Sequence, residues 1–91
     1  MTQNYNIFFR YSCGALGFLA GFDSEFGTPI IAFGFDEAFQ PKEYTFGVAT
    51  RVAERIAESG AELDCSIEVI PAFLFENHFF DGKEKPVISS R

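Results

Sequence analysis

The sequence predicts an α+β fold: a mainly antiparallel sheet of about four strands with one amphipathic helix packed on one face, in the order β-β-β-α-β. Three observations predict this fold class. Several segments show the two-residue alternation, or the β-branched and aromatic content, of strands. One later segment shows the apolar spacing of a helix, and Gly, Pro, Asp and Ser separate the segments. A helix in this order lies against one side of an antiparallel sheet.

The first two strands are predicted at residues 4–12 and 15–22. In the first segment, aromatic or aliphatic side chains occupy every odd position from Tyr5 to Tyr11, so they share one face. In the second segment, a set of larger apolar side chains alternates with mostly small residues. We therefore expect a glycine-rich second strand with one face that allows close packing.

The motif Gly-Phe-Asp occurs twice, in GFDSEFG at residues 21–27 and in GFDEAFQ at residues 34–40. Residues 23–29 are rich in turn formers, and residues 30–35 have the composition of a third strand. That strand would separate the motifs by about 20 Å, whereas a catalytic carboxylate pair of the glycosidase type needs a separation below about 10 Å. We therefore interpret the first motif as a hairpin turn in which Asp23 bonds to the local backbone.

The helix is predicted from about Glu43 to Ser59. Its apolar residues fall on one face, while Arg and Glu residues at helical spacing fall on the other. Pro41 suits a first turn, Gly47 lowers helix propensity, and Gly60 is a suitable C′ residue, so the end of the helix is better defined than its start. If the strands on either side of the helix were parallel in the sheet, the connection would be right-handed.

The fourth strand is predicted at residues 64–70, and Pro71 ends it or restricts it to an edge. Residues 73–80 are apolar enough to form a further short strand or an apolar arm. We assign residues 1–82 to a single domain and residues 83–91 to a partly flexible tail.

The cysteines and the apolar segments predict a soluble, cytoplasmic protein. Cys13 and Cys65 could form at most one disulfide, so buried free thiols in strands are expected. The N-terminal residues lack the pattern of a signal peptide. The longest apolar run, at residues 13–22, is about half as long as a membrane span.

Charge and aromatic content point to a protein partner. The formal net charge is −6, and without a basic patch direct binding to nucleic acid is disfavoured. The acidity either serves solubility alone or meets a basic protein surface. Thirteen Phe residues in a 91-residue chain are more than one small core readily hides, which predicts an apolar patch for a partner or a dimer.

The residues offer little for catalysis, and we predict no enzyme, no metal site and no cofactor. His78, the single histidine, lies between Glu76 and Asp81, an arrangement that acid–base chemistry could use. Zinc and non-haem iron sites usually need at least two His or Cys ligands, and both cysteines are distant in sequence. The glycines form neither a dinucleotide fingerprint nor a phosphate-binding loop. We therefore interpret His78 as a surface residue in an apolar loop.

The candidate partner-binding site is an acidic and aromatic end of the sheet. If the helix runs antiparallel to the third strand, it begins near GFDEAFQ, and the fourth strand returns to that end before FENHFFDG, residues 75–82. Aromatic anchors surrounded by acids are typical of a contact patch for a basic partner. The predicted site residues are Asp36, Glu37, Phe39, Glu76, His78, Phe79, Phe80 and Asp81.

These observations lead to three functional hypotheses. The first is a small acidic, non-enzymatic protein-binding module, most specifically a phage-type inhibitor or adaptor that masks a basic, nucleic-acid-binding surface of a protein partner. The alternative is a homo-oligomeric structural or small-ligand-binding module with a Phe-rich interface, such as a homodimer. An enzyme that uses His78 with Glu76 or Asp81 is the third and the least supported.

Overall fold

A computed structural model describes residues 3–34, 38–60 and 64–80, and it confirms the predicted α+β class and the order β-β-β-α-β. The predicted tail at residues 83–91 lies outside the described residues. The elements are β1 (Tyr5–Tyr11), β2 (Leu16–Phe22), β3 (Pro29–Ala32), α1 (Phe46–Ser59), β4 (Cys65–Pro71), a 3₁₀ turn (Ala72–Leu74) and α2 (Phe75–Phe79).

The four strands form one antiparallel sheet in the order β3-β2-β1-β4. Phe8 of β1 lies opposite Phe18 of β2 and Glu68 of β4, so β1 is central. Because every neighbouring pair is antiparallel, β3 and β4 run in opposite directions at the two edges. The handedness rule for parallel strands therefore does not apply to the connection through α1.

One face of the sheet packs against α1. The odd-numbered residues of β1 point to this face, and Ile7 and Phe9 are fully buried there together with Leu19 of β2. The helix contributes Ala49 and Ile56, seven residues apart and thus on the same side of α1. Burial of each large apolar side chain contributes about 1.5–3 kcal/mol to folding.

The opposite face packs against α2, so helices cover both faces of the sheet. Phe75 and Phe79 are four residues apart and bury one side of this short helix against Phe8 and Phe18. The expectation of a strand or an apolar arm at residues 73–80 is therefore wrong. In a strand the two phenylalanines would share a face but lie about 13 Å apart, whereas in the helix their rings stack with centroids 5.6 Å apart.

Helix α1 begins at Phe46, three residues after the predicted start, because the preceding residues are extended and bonded to strands. Tyr44 exchanges backbone hydrogen bonds with Tyr5 at N–O distances of 2.9 and 2.7 Å. Lys42 N–H donates to the Leu19 carbonyl at 2.9 Å. The end of α1 is as predicted, since Gly60 has φ 72° and its N–H donates to the Ala57 carbonyl.

The first Gly-Phe-Asp motif forms the hairpin turn between β2 and β3, as predicted. Asp23 Oδ1 accepts hydrogen bonds from the backbone N–H groups of Glu25 and Phe26, both at 2.8 Å. Gly27 follows with φ 71°, a conformation that favours glycine. The third strand is shorter than predicted, since it covers Pro29–Ala32.

Both cysteines are free thiols. Cys65 lies half-buried in β4, as expected for a strand thiol. Cys13 is exposed in the turn between β1 and β2, so the expectation of a buried strand thiol is wrong for this residue. The strand has already ended there because Gly14, with φ 97°, closes a turn in which its N–H donates to the Tyr11 carbonyl.

Candidate protein-binding site

The chain before α1 and the chain after β4 meet beside the start of β1. Tyr5 bridges to Tyr44 on one side and pairs with Pro71 on the other. Two asparagine side chains hold the incoming chain: Asn6 Nδ2 donates to the Lys42 carbonyl at 2.8 Å, and Asn4 Nδ2 donates to a Glu43 carboxylate oxygen at 3.1 Å. The meeting point of these segments is therefore fixed by backbone and side-chain hydrogen bonds.

A groove of about 370 Å³ opens between these two segments, and we call it the end groove. Its volume falls in the range of small-molecule and side-chain binding clefts. One wall comes from the residues before α1 and the other from the 3₁₀ turn and α2. The lining residues are Asn6, Gln40, Pro41, Glu43, Ala72, Phe73, Phe75, Glu76 and Asn77.

The end groove is rich in hydrogen-bond acceptors. Glu43 and Glu76 supply carboxylates, and none of the lining residues is basic. Asn6 is only 2% exposed, and its Oδ1 has no hydrogen-bond partner in the part of the chain that the structure describes. A buried acceptor without a partner costs free energy, which a donor entering the groove would recover.

An aromatic anchor lies at the same groove. Phe73 is 73% exposed, while its neighbour Phe75 is buried in the second core. An exposed phenylalanine beside carboxylates and amides is the composition of an interface anchor with a polar rim. The end groove can therefore offer both apolar contact and hydrogen-bond acceptors to one partner.

The structure places two of the predicted site residues at or near this groove. Glu76 lines it. Phe39 is 41% exposed and precedes the lining residue Gln40, although Phe39 itself is not a lining residue. The predicted residues Asp36, Glu37 and Asp81 lie outside the described residues.

The remaining predicted site residues contact the sheet. Phe79 is 3% exposed and packs in the second core, and Phe80 is half-buried against it. The His78 ring stands edge-on to Phe8, with ring centroids 4.7 Å apart, and its Nε2 lies 2.7 Å from a Glu68 carboxylate oxygen. His78 is thus held by Glu68, which the sequence did not single out, and its interpretation as a loop surface residue is wrong.

Glu68 joins His78 to Arg10. One carboxylate oxygen contacts His78 and the other accepts from Arg10 Nε at 3.0 Å. Burial alone would raise the pKa of Glu68, but the hydrogen bonds and charges of Arg10 and His78 outweigh it, so the pKa lies below its ordinary value. This ion cluster joins β1, β4 and α2 and has a structural role, since it also secures α2 on the sheet.

The topological argument for placing the second motif near residues 75–82 is wrong, although Gln40, the last residue of that motif, does line the groove with Phe75 and Glu76. It required β4 to end where β3 ends, but β3 ends beside Tyr11, whose ring lies 5.7 Å from that of Phe33. The end of β4 lies beside Tyr5, at the other end of β1. Only the extended connection before α1 brings Gln40 and Glu43 to the groove.

The sequence reasoning missed Asn6, Glu43 and Phe73 as site residues. Asn6 occupies an even position of the first strand between Tyr5 and Ile7, where a polar side chain that becomes buried needs a hydrogen-bond partner. Phe73 could have been found from the helical spacing of Phe75 and Phe79, which leaves Phe73 outside the buried face.

Comparison with protein-family models, with curated proteins and with solved structures gave no match. Across residues 3–34, 38–60 and 64–80, no three His, Cys, Asp or Glu side chains are grouped closely enough to hold a metal ion. Neither α1 nor any other helix among the described residues is long and apolar enough to cross a membrane.

Proposed function

We propose that this protein is a small acidic, non-enzymatic binding module that contacts a basic surface of a protein partner through the end groove. The observation that carries the proposal is the acceptor-rich groove itself, with two carboxylates, no basic lining residue and an exposed Phe73. The formal net charge of −6 adds long-range attraction to a basic partner.

The groove chemistry favours an arginine or lysine side chain of the partner as the inserted group. Glu43 and Glu76 would accept charge-assisted hydrogen bonds, and Asn6 Oδ1 would accept a bond at the groove floor. The five N–H donors of a guanidinium suit several acceptors at once, whereas a lysine offers three from one point. Phe73 would pack on the apolar stem of the same side chain.

In its most specific form, the proposed module is a cytoplasmic inhibitor or adaptor of the phage type, which masks a nucleic-acid-binding surface of its partner. Such surfaces carry clustered Lys and Arg, because phosphate contacts dominate nucleic-acid affinity. An acidic protein that occupies those side chains would compete directly with the nucleic acid.

Comparative capture from a lysate of the native host tests the proposal. We expect the double variant Glu43→Lys/Glu76→Lys to recover at least about tenfold less of the captured partner, because it replaces attraction with repulsion at the groove. The control Glu25→Lys/Glu58→Lys has the same change in charge at exposed positions elsewhere. Asp23 is unsuitable as a control because it holds the β2–β3 turn.

Two outcomes would contradict the proposal. Equal losses from both double variants would show that net charge alone drives capture. A captured partner that binds nucleic acid equally well with and without this protein would rule out masking. We expect instead that the protein displaces nucleic acid from the partner, and that Phe73→Ala weakens the displacement.

A further inference from the structure

On the outer edge of β4, the backbone groups of Ile67 and Val69 have no partner in the described parts of the chain. Ser12 N–H donates to Asp64 and Ala72 N–H donates to Asn4, so the even-numbered residues of β4 exchange hydrogen bonds with β1. The N–H and C=O groups of Ile67 and Val69 therefore point away from β1. No described residue bonds to them.

Beside this edge lies a second groove of about 470 Å³, which we call the edge groove. The side that belongs to α1 carries small residues, including Ala53 and Ala57, with Glu54 as its only charged lining residue. The β4 side carries Ile67 and Val69, which are only half-buried under α1. An apolar side-chain face thus continues directly from the open backbone edge.

β4 lacks the devices that usually protect an edge strand. The other edge strand, β3, has four residues and includes Pro29, whereas β4 has seven residues and its proline, Pro71, is at its end. The only charged residue in β4 is Glu68, which Arg10 and His78 already engage on the opposite face. A long edge of this kind is a template for another strand.

We propose that a second copy of this chain pairs with the β4 edge, β4 against β4, antiparallel about a twofold axis at Ile67. In this register Ile67 faces Ile67 of the second copy, and Cys65 faces Val69. The outward backbone groups then bond to each other. Glu68 of one copy lies opposite Ser66 of the other, not opposite the other Glu68, so no two like charges face each other directly.

The position of α1 favours a second copy over a foreign strand. The helix packs on both β1 and β4, so a twofold axis at the edge places the two copies of α1 about two strand spacings, or ~10 Å, apart. Helices pack at 8–10 Å, and Ala53 and Ala57 permit that approach. A foreign strand would pair with the edge but leave this side of α1 uncovered, whereas a second copy covers both.

The expected interface is small. Seven residues of β4 span about 24 Å, and with the α1 layer the contact buries about 500 Å² per copy, near the lower limit for a specific interface. Each copy carries a net charge of −6, which opposes association. The dimer should therefore be weak, and it should strengthen as salt screens the repulsion.

Sedimentation velocity from about 1 μM to 1 mM tests the dimer. We expect a mass that rises with concentration from 10.2 kDa toward twice that value. Ala57→Lys adds charge at the helix contact and should raise the dissociation constant about tenfold or more. The matched control Val48→Lys adds the same charge at an exposed position of α1 that does not line the edge groove, and it should not raise the constant.

Amide hydrogen exchange makes the test specific to the β4 edge. The Ile67 and Val69 amides should exchange more slowly as the dimer fraction rises. A mass of 10.2 kDa at all concentrations would overturn the proposal and leave the edge to residues 81–91 or to a strand of another protein. A dimer that keeps fast exchange at Ile67 and Val69, or that both lysine variants weaken equally, would overturn it as well.

Discussion

At the scale of single residues, Glu68 makes stability depend on pH. Its pKa is lowered in the folded state, where Arg10 and His78 favour the charged carboxylate over the effect of burial. An ordinary unfolded Glu has a pKa of about 4.3. The stabilisation is therefore fully present above that value and is lost as the pH falls through the lower folded-state pKa.

Glu68→Gln should accordingly lower the free energy of unfolding at pH 7 by about 1 kcal/mol, because the ion cluster is partly exposed. The difference from the unaltered protein should shrink as the pH falls below the ordinary Glu value of about 4.3 and through the lower pKa of folded Glu68. Urea denaturation at a series of pH values measures this difference in free energy of unfolding. The variant Glu25→Gln, at an exposed position, is the control. A difference that stays constant from pH 7 to pH 3 would contradict this role.

At the scale of elements, the short helix α2 depends on its two buried phenylalanines. Phe79 is buried against Phe75, Phe18 and Phe8, with ring centroids 5.6, 5.5 and 6.5 Å away. Phe79→Ala should cost about 3–5 kcal/mol of stability. Phe73→Ala, at an exposed position, should change stability by less than about 0.5 kcal/mol. Denaturation midpoints that fall equally for the two variants would contradict the assignment of α2 to the second core.

The strands and α1 could be predicted because their signals are local. Alternation in β1, the Asp-containing turn at residues 23–29 and Gly60 each depend on neighbouring residues only. The start of α1 could not be predicted, because Tyr44 pairs with Tyr5, a contact across 39 positions of the sequence. The sequence places Phe75 and Phe79 at a spacing that fits a helix, but only the second sheet face makes that helix stable.

The candidate site was predicted only in part, for the same reason. Glu76 belongs to the end groove, but Asn6 and Glu43 reach it through strand order and an extended connection that no local pattern reveals. Aromatic composition and the expected return of β4 toward GFDEAFQ predict Phe79 in the contact patch, but the structure places it in the core. Composition counts aromatic residues, whereas topology decides which of them stay exposed.

At the scale of the whole molecule, the two proposed surfaces respond to salt in opposite directions. Binding of a basic partner at the end groove should weaken as salt rises, because screening reduces the attraction to Glu43 and Glu76. Association through β4 should strengthen under the same conditions, because screening reduces repulsion between chains of charge −6. The two surfaces share no lining residue, so a variant of one leaves the other intact.

The central claim is that the end groove accepts a basic side chain, and NMR titration of the ¹⁵N-labelled protein with acetyl-arginine amide tests it most directly. We expect the side-chain amide signals of Asn6 and the backbone signals of Glu43, Phe73 and Glu76 to shift in a saturable manner. Those shifts should be absent in Glu43→Lys/Glu76→Lys and retained in Glu25→Lys/Glu58→Lys. Shifts spread over acidic residues throughout the chain, with the Asn6 side chain unaffected, would contradict the claim.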